Sequence, residues 1–254
     1  IQRKLKVAGM GREATERLKN LVPVSEPMLR EIPLELSPPT TEDTVSDLDR
    51  LSRGLKKAGC EIEKLTVGLA VIRQLSEVMR REAWKVTAAV VQRRRFNELV
   101  EVRPGNGRKP ALGLAIDIGT TTIVVYLVDM ADGSVRAATS GHNRQAACGD
   151  DVINRIVCAE KDGVQKLSGM ALATINSLIG EALESANAKA NQLKNVVVAG
   201  NTVMTHLLLK IEPRYIRRAP YIPTVAEFPI LKAGDIGLKA HPAAAVFVMP
   251  GPAS

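Results

Sequence analysis

The chain is short of aromatic residues, at 3% of 254 positions, and carries only three cysteines. Few aromatics leave few platforms on which bases stack, so the formal net charge of +8 does not by itself point to nucleic acid. The densest basic cluster, Arg93-Arg94-Arg95, suits a solvated face or turn. Cys60, Cys148 and Cys158 are scattered, and no pair has Cys-x-x-Cys spacing. A disulfide framework, or a zinc or iron–sulfur site within this chain, is therefore not expected. The cysteines read as reduced thiols of a cytoplasmic protein. No apolar run approaches the roughly 20 residues of a membrane span. The opening Ile1-Gln2-Arg3-Lys4-Leu5-Lys6 also lacks the apolar stretch of a signal peptide. Neither nucleic acid nor membrane is an expected partner. Beginning on Ile and ending on Pro-Gly-Pro-Ala-Ser, the chain reads as a piece of a longer protein.

What is present falls into blocks. Residues 1–22 are basic and weakly patterned, a tether from something upstream. Pro23 to Pro39 holds five prolines around short apolar stretches such as Ile32-Pro33-Leu34-Glu35-Leu36 and should be extended. Thr40 is a candidate cap for a helix with Glu42 and Asp43 in its first turn and Val45, Leu48, Leu51, Leu55 and Ala58 on one face, ended by Gly59. A second helix would bury Leu65, Leu69, Ile72, Leu75 and Met79. Strands are expected at Trp84–Val91 and Leu99–Val102, so that 23–103 makes a small α+β domain. Pro104-Gly105-Asn106-Gly107-Arg108-Lys109-Pro110 marks a hinge. From 111 to 254 the texture changes. Strands are expected near 112–118, 122–129 and 134–140, with helices from about Asp150 and across Val164–Ala188. A buried strand at Val196-Val197-Val198 runs into a helix. The last forty residues are rich in proline and alanine with weak periodicity.

The most informative stretch is Ile116-Asp117-Ile118-Gly119-Thr120-Thr121-Thr122. An apolar strand delivers one acid, a glycine and three hydroxyls before a β-branched strand leaves. A glycine corner exposes backbone N–H groups, the threonines add hydroxyl donors, and Asp117 is placed to hold Mg²⁺ directly or through water. Such a corner suits a metal-bound nucleotide phosphate. It is not a Walker A loop, because no Gly-Lys-Ser/Thr occurs and a strand follows. An ordinary hairpin with a polar turn fits the same residues. Further on, Ala199-Gly200-Asn201-Thr202 ends a buried strand and opens a helix, a usual ligand position at a sheet's carboxyl edge. Asn201 and Thr202 suit either orienting water or a phosphate oxygen, or plain helix capping. His206 reads as a packed or surface residue rather than a ligand. In Gly149-Asp150-Asp151, Asp150 is the expected helix cap, with Asp151 as an outside candidate for the nucleotide site.

Together these stretches resemble a known family. Gly113–Thr122 is similar to the first phosphate motif of the acetate and sugar kinase/Hsp70/actin superfamily. Asn143-Arg144-Gln145 with Gly149–Ile156, Gly200-Asn201-Thr202-Val203-Met204-Thr205-His206 and Ala219-Pro220-Tyr221-Ile222-Pro223 resemble the reductive activators of corrinoid proteins. Ser46-Asp47-Leu48-Asp49-Arg50-Leu51 looks like that family's linker. The resemblance implies an α/β fold, an actin-like or ribonuclease H-like ATPase subdomain with a mixed sheet, preceded by the α+β linker. It implies ATP-dependent reduction of an inactive Co(II) corrinoid protein to the methyl-accepting Co(I) state. The implied cofactors are ATP and Mg²⁺, with Asp117, Gly119, Thr120, Thr121, Thr122 and Gly200 holding nucleotide and Asn201 and Thr202 facing the γ-phosphate. Electrons would pass through a [2Fe–2S] domain upstream of this chain, and the second phosphate motif and adenosine segment would lie beyond Ser254. A corrinoid protein is the implied partner and a homodimer the implied assembly. Arg144 stands where proline is usual and Asp150 where a small residue is. Two rivals use the same residues: a small-molecule kinase on this scaffold, and a non-catalytic module that docks a corrinoid protein.

Overall fold

A computed structural model describes residues 29–92, 96–107 and 111–251. The tether expected at 1–22, the first prolines of the extended stretch and Arg93-Arg94-Arg95 lie outside the described residues. The chain divides into two compact units, one holding Val24–Ala111 with Met130–Asp132, the other Leu112–Asp129 and the residues from Gly133 on.

The first unit has a sheet of β1 (Leu29–Glu35), β2 (Leu65–Val67), β3 (Lys85–Gln92) and β4 (Asn97–Pro104), ordered β1-β3-β4-β2. Its helices are α1 (Asp47–Lys57) and α2 (Leu69–Arg81). Strand alternation divides β3 between two cores. Val86, Ala88 and Val90 pack with Leu51, Leu55, Leu75 and Met79, while Ala89 and Val91 pack with Leu29 and Val100. Pro33 sits in β1, opposite Thr87. An edge strand tolerates it, because one side has no ladder to complete.

Several expectations shift here. Ser46, not Thr40, caps α1, its hydroxyl accepting from the Asp49 N–H at 3.1 Å. Thr40 closes a local turn instead, accepting from the Asp43 N–H at 3.0 Å. Asp43 is diverted to Arg50, a buried guanidinium 2.6 Å from its carboxylate, and that hydrogen bond holds the Asp43 carboxyl below its usual range. The inner face of α2 is Val71, Leu75, Val78 and Met79, with Leu69 and Ile72 exposed. Leu65 belongs to β2, whose pairing with β4 fixes where α2 starts and hence its phase. Trp84 precedes β3 at φ +68°, in the tight reversal from α2, and its ring lies under the Arg50 guanidinium.

The second unit is built on a six-stranded sheet. Its strands are β5 (Leu112–Ile118), β6 (Thr122–Asp129), β7 (Val135–His142), β8 (Leu193–Gly200), β9 (Leu231–Lys232) and β10 (Ala245–Val248), in the order β7-β6-β5-β8-β10-β9. β5, β6 and β7 form an antiparallel meander at the expected positions, and β8 joins β5 in parallel. β10 then adds parallel to β8, inside the segment that showed no periodicity. A meander followed by two parallel strands, with the first strand central, is the ribonuclease H-like order on which actin-like ATPase domains are built. The helices are α3 (Val152–Asp162), α4 (Val164–Ser185), α5 (Thr202–Leu208) and α6 (Ala233–Ile236). α4 lays Ala171, Ile175, Leu178, Ile179 and Ala182 over the core with Ile116, Ile123, Val125 and Leu127. Among the described residues, no helix is long and apolar enough to cross a membrane.

His206, on α5, is fully buried. Its Nδ1 lies 2.7 Å from the Thr202 carbonyl and its Nε2 3.4 Å from the Val225 amide nitrogen. That pattern fits a neutral ring, Nδ1–H donating and Nε2 accepting. Phe228 packs edge-on at 5.7 Å. Burial lowers the His206 pKa from its ordinary 6.5, against a smaller upward pull from the Thr202 carbonyl. The unfolded chain therefore binds a proton that the folded chain resists, and stability is lost as pH falls below about 6.5. Between about pH 7.5 and 5.5 the thermal midpoint should fall, and His206→Gln should flatten that slope. A second check concerns α4. Ile175→Ala should cost about 2–5 kcal/mol in urea unfolding, whereas Ile153→Ala, on the exposed face of α3, should stay within about 0.5 kcal/mol.

Candidate functional site

The parallel strands β5, β8 and β10 end at one edge of the sheet. Register pairs Asp117 with Ala199, Ile118 with Gly200 and Val248 with Val198. Beyond these ends lies a cavity of about 420 Å³, lined by Asp117, Ile118, Gly119, Thr120, Ala199, Gly200, Asn201, Met249 and Pro250. Ligands of α/β sheets bind at such carboxyl ends, where the chain turns away from the ladder and leaves polar groups unpaired. Small residues are needed for the walls to meet. A Cβ on Gly119 would stand 2.6 Å from the Thr122 carbonyl oxygen, and one on Gly251 would stand 2.6 Å from Thr202 Oγ1. At Gly200 it would come within 3.2 Å of the Ile118 carbonyl oxygen.

The corner at 119–121 is held from behind by its carbonyls. Asn143, fully buried, donates from Nδ2 to the Gly119 oxygen at 2.9 Å, and its own N–H donates to the Thr121 oxygen at 2.8 Å. Its Oδ1 accepts from the Gln145 N–H at 3.0 Å, and Gln145 is anchored in turn on the Leu167 carbonyl. Arg155 donates from Nη2 to the Thr120 oxygen and from Nε, at 3.0 Å, to the Gly149 oxygen. Each of the three corner carbonyls thus meets a donor. The Gly119 N–H closes the turn on the Thr122 oxygen at 3.0 Å, but among the described residues no acceptor takes the Thr120 or Thr121 N–H. Neither does any cation pair with the exposed Asp117 carboxylate among those residues.

The structure brings Asp117, Gly119, Thr120, Gly200 and Asn201 onto one cavity. Thr121 and Thr122 are exposed on the corner without lining that cavity, and Thr202 lies against Gly251. The Asn201 side-chain oxygen caps α5, accepting from the Met204 N–H at 2.9 Å. Capping and cavity lining therefore coexist in one exposed residue. Asp150 is not the cap of α3. Asp151 is, accepting from the Asn154 N–H at 2.8 Å. The helix starts one residue later than the paired acids suggest because Gly149, at φ +143°, turns the chain first. Asp117 is the one carboxylate among the described residues that lines the cavity. Among the described residues no group of three or more His, Cys, Asp or Glu side chains could hold a metal ion.

Three contributors escaped sequence reasoning. Asn143 and Arg155 lie in motifs that drew notice, but as a pattern and not as grips on the corner. Met249-Pro250-Gly251, the far wall, sits in proline-rich sequence with no periodicity. It is placed by β10 and by the Met249 N–H donating to the Val198 carbonyl at 2.8 Å. The one available signal was an arginine among the apolar positions of α3, beside Ile156 and one turn from Ala159.

Comparisons with known proteins agree with this architecture. The family described as RACo linker region matches residues 24–109, and the RACo middle region matches residues 112–254. The corrinoid activation enzyme RamQ of Eubacterium limosum is 30% identical over 188 residues, covering 73% of this chain and 31% of that protein. A solved structure, the reductive activator for corrinoid, iron–sulfur protein, aligns with a TM-score of 0.81 at 38% identity, over 89% of this chain and 36% of that one. The chain thus spans about a third of the length of each of these relatives. With its linker and middle regions both matched, the chain belongs to the RACo family.

Proposed function

We propose that this chain is the linker and the first part of the nucleotide-binding domain of an ATP-dependent reductive activator. Its product would be a corrinoid protein returned from Co(II) to the methyl-accepting Co(I) state. The observation that carries this reading is the corner at 119–121. Its carbonyls are all engaged from behind, two of its N–H groups have no acceptor among the described residues, Thr120 and the exposed Asp117 line the cavity, and Thr121 stands exposed beside it. That donor set fits a polyphosphate. A single carboxylate fits Mg²⁺, which commonly keeps several waters and takes its remaining ligands from substrate phosphates. Gly119, Thr120, Thr121 and Thr122 grip phosphate in this reading, and Asp117 orients the cation. Gly200 permits close approach, and Asn201 and Thr202 present the polar edge of the opposing wall. Bound ATP would supply the free energy that an uphill one-electron reduction needs, through differential affinity for two states of the complex. Three cysteines fall short of the four thiolates that a [2Fe–2S] cluster takes, so no electron-transfer step is assigned to this chain. Family membership and the names of the relatives support the corrinoid partner.

Titration of the full-length protein with ATP tests the reading. Asp117→Asn should weaken Mg²⁺-dependent hydrolysis by about tenfold to a hundredfold, the usual cost of a disturbed metal environment. Gly119→Val, which drives a side chain against the Thr122 carbonyl, should weaken ATP binding at least as much. Full-length protein that binds a corrinoid protein but not ATP would instead select the docking-module reading. Phosphoryl transfer to a sugar or acid would select the kinase.

A further inference from the structure

Arg155 is a full charge in an expensive place. Its side chain is completely buried, and among the described residues no carboxylate forms an ion pair with it. Burial pulls its pKa down from the ordinary arginine value, with Asp150, Cys148 and Asp151 opposing at longer range. A methionine or leucine of similar volume would meet less desolvation cost at this position. What the guanidinium does instead is reach three elements at once. Nε donates to the Gly149 carbonyl ahead of α3, Nη2 donates to the Thr120 carbonyl at the corner, and Nη1 lies 3.3 Å from Met204 Sδ on α5. The fixed fork of a guanidinium allows this, and the single nitrogen of a lysine does not.

The consequence follows from the planarity of the peptide. In a trans peptide the C=O of one residue and the N–H of the next point in opposite directions. Holding the Thr120 oxygen inward therefore turns the Thr121 N–H outward. Holding the Gly119 oxygen, as Asn143 does, turns the Thr120 N–H outward in the same way. Both N–H groups find no acceptor among the described residues.

We infer that Arg155 is a positioning residue for the phosphate corner. Together with Asn143 it aims the Thr120 and Thr121 N–H groups at the ligand through the carbonyls on the opposite side of the same peptides. Met204, whose N–H is capped by Asn201, ties this clamp to the opposing wall. The inference rests on the nucleotide reading for the identity of the ligand, but not for the geometry of the corner.

The test uses full-length protein carrying Arg155→Met, with Arg155→Lys as a second variant. Amide hydrogen exchange is read at Gly119 and Asn143, whose N–H groups are bonded to the Thr122 and Thr121 oxygens and so report on the corner. It should speed up at least tenfold in Arg155→Met, while exchange in the centres of β6 and β8 stays as in the parent. The affinity for ATP should fall at least tenfold, the affinity for adenosine should change less than twofold, and Lys should recover part of the loss. Equal losses for ATP and adenosine, or a global rise in exchange, would mean that Arg155 only supports the fold. Unchanged exchange at the corner and unchanged ATP affinity in a folded variant would overturn the inference. If Arg155→Met does not fold, Arg155→Lys is read by the same criteria. If the parent binds no ATP, the nucleotide reading fails, and the exchange data alone decide whether Arg155 aims the corner.

Discussion

The parallel pairing of β5 with β8 is the constraint on which the site depends. It brings the end of the first strand of the meander beside a strand that lies about eighty residues later in the chain. Within that ladder Ile118 faces Gly200, so the corner after β5 and the turn after β8 leave the sheet at the same level. A one-residue slip would turn Asp117 into the core and expose Ile116 and Ile118, since side chains alternate with a period of two. The buried Ile116, Ile118, Val196 and Val198 make that slip costly. The hydrophobic core thus sets the register, and the register sets the site.

Behind that edge the polar interior has a different logic. A hairpin corner with three threonines has many ways to turn its peptides, and water would satisfy most of them. Asn143, Gln145 and Arg155 remove that freedom. They are fully buried and bonded to backbone carbonyls, so each fixes a peptide and not merely a side chain. Burying such groups is favourable only when their hydrogen-bonding capacity is largely met. The same requirement explains Arg50 in the first unit, whose donors go to Asp43 and to the Ser37 and Asp43 carbonyls while its flat face meets Trp84. In both units a buried arginine organises irregular backbone that no ladder supports.

Much of this was visible in the amino-acid order, for reasons tied to period. The meander was legible because β5 and β6 alternate or run apolar and are separated by glycine-containing turns. α4 was legible because its apolar positions recur at helical spacing over six turns. The phase of α2 differs from its hydrophobic pattern because Leu69 and Ile72 are hydrophobic yet exposed, and hydrophobicity alone does not say which face has a neighbour. The caps fall at Ser46 and Asp151, not at Thr40 and Asp150, in stretches where several capping residues stand close together. The choice among them depends on where the chain can turn, as at Gly149. β10 was missed because four residues, Ala245–Val248, are too few to show a period.

By itself the amino-acid sequence determined the two textures, the α/β class, the phosphate-like corner and the family. These follow from local pattern, turn chemistry and short motifs, which act over a few residues. Only the tertiary structure decided that Asp117, Gly200 and Met249 share one cavity, that Asn201 caps a helix while lining it, and that Asn143 and Arg155 grip the corner from behind. Apart from the cap itself, those contacts join residues far apart in the chain. They exist because strand register and the burial of polar groups are resolved only when the whole sheet is assembled.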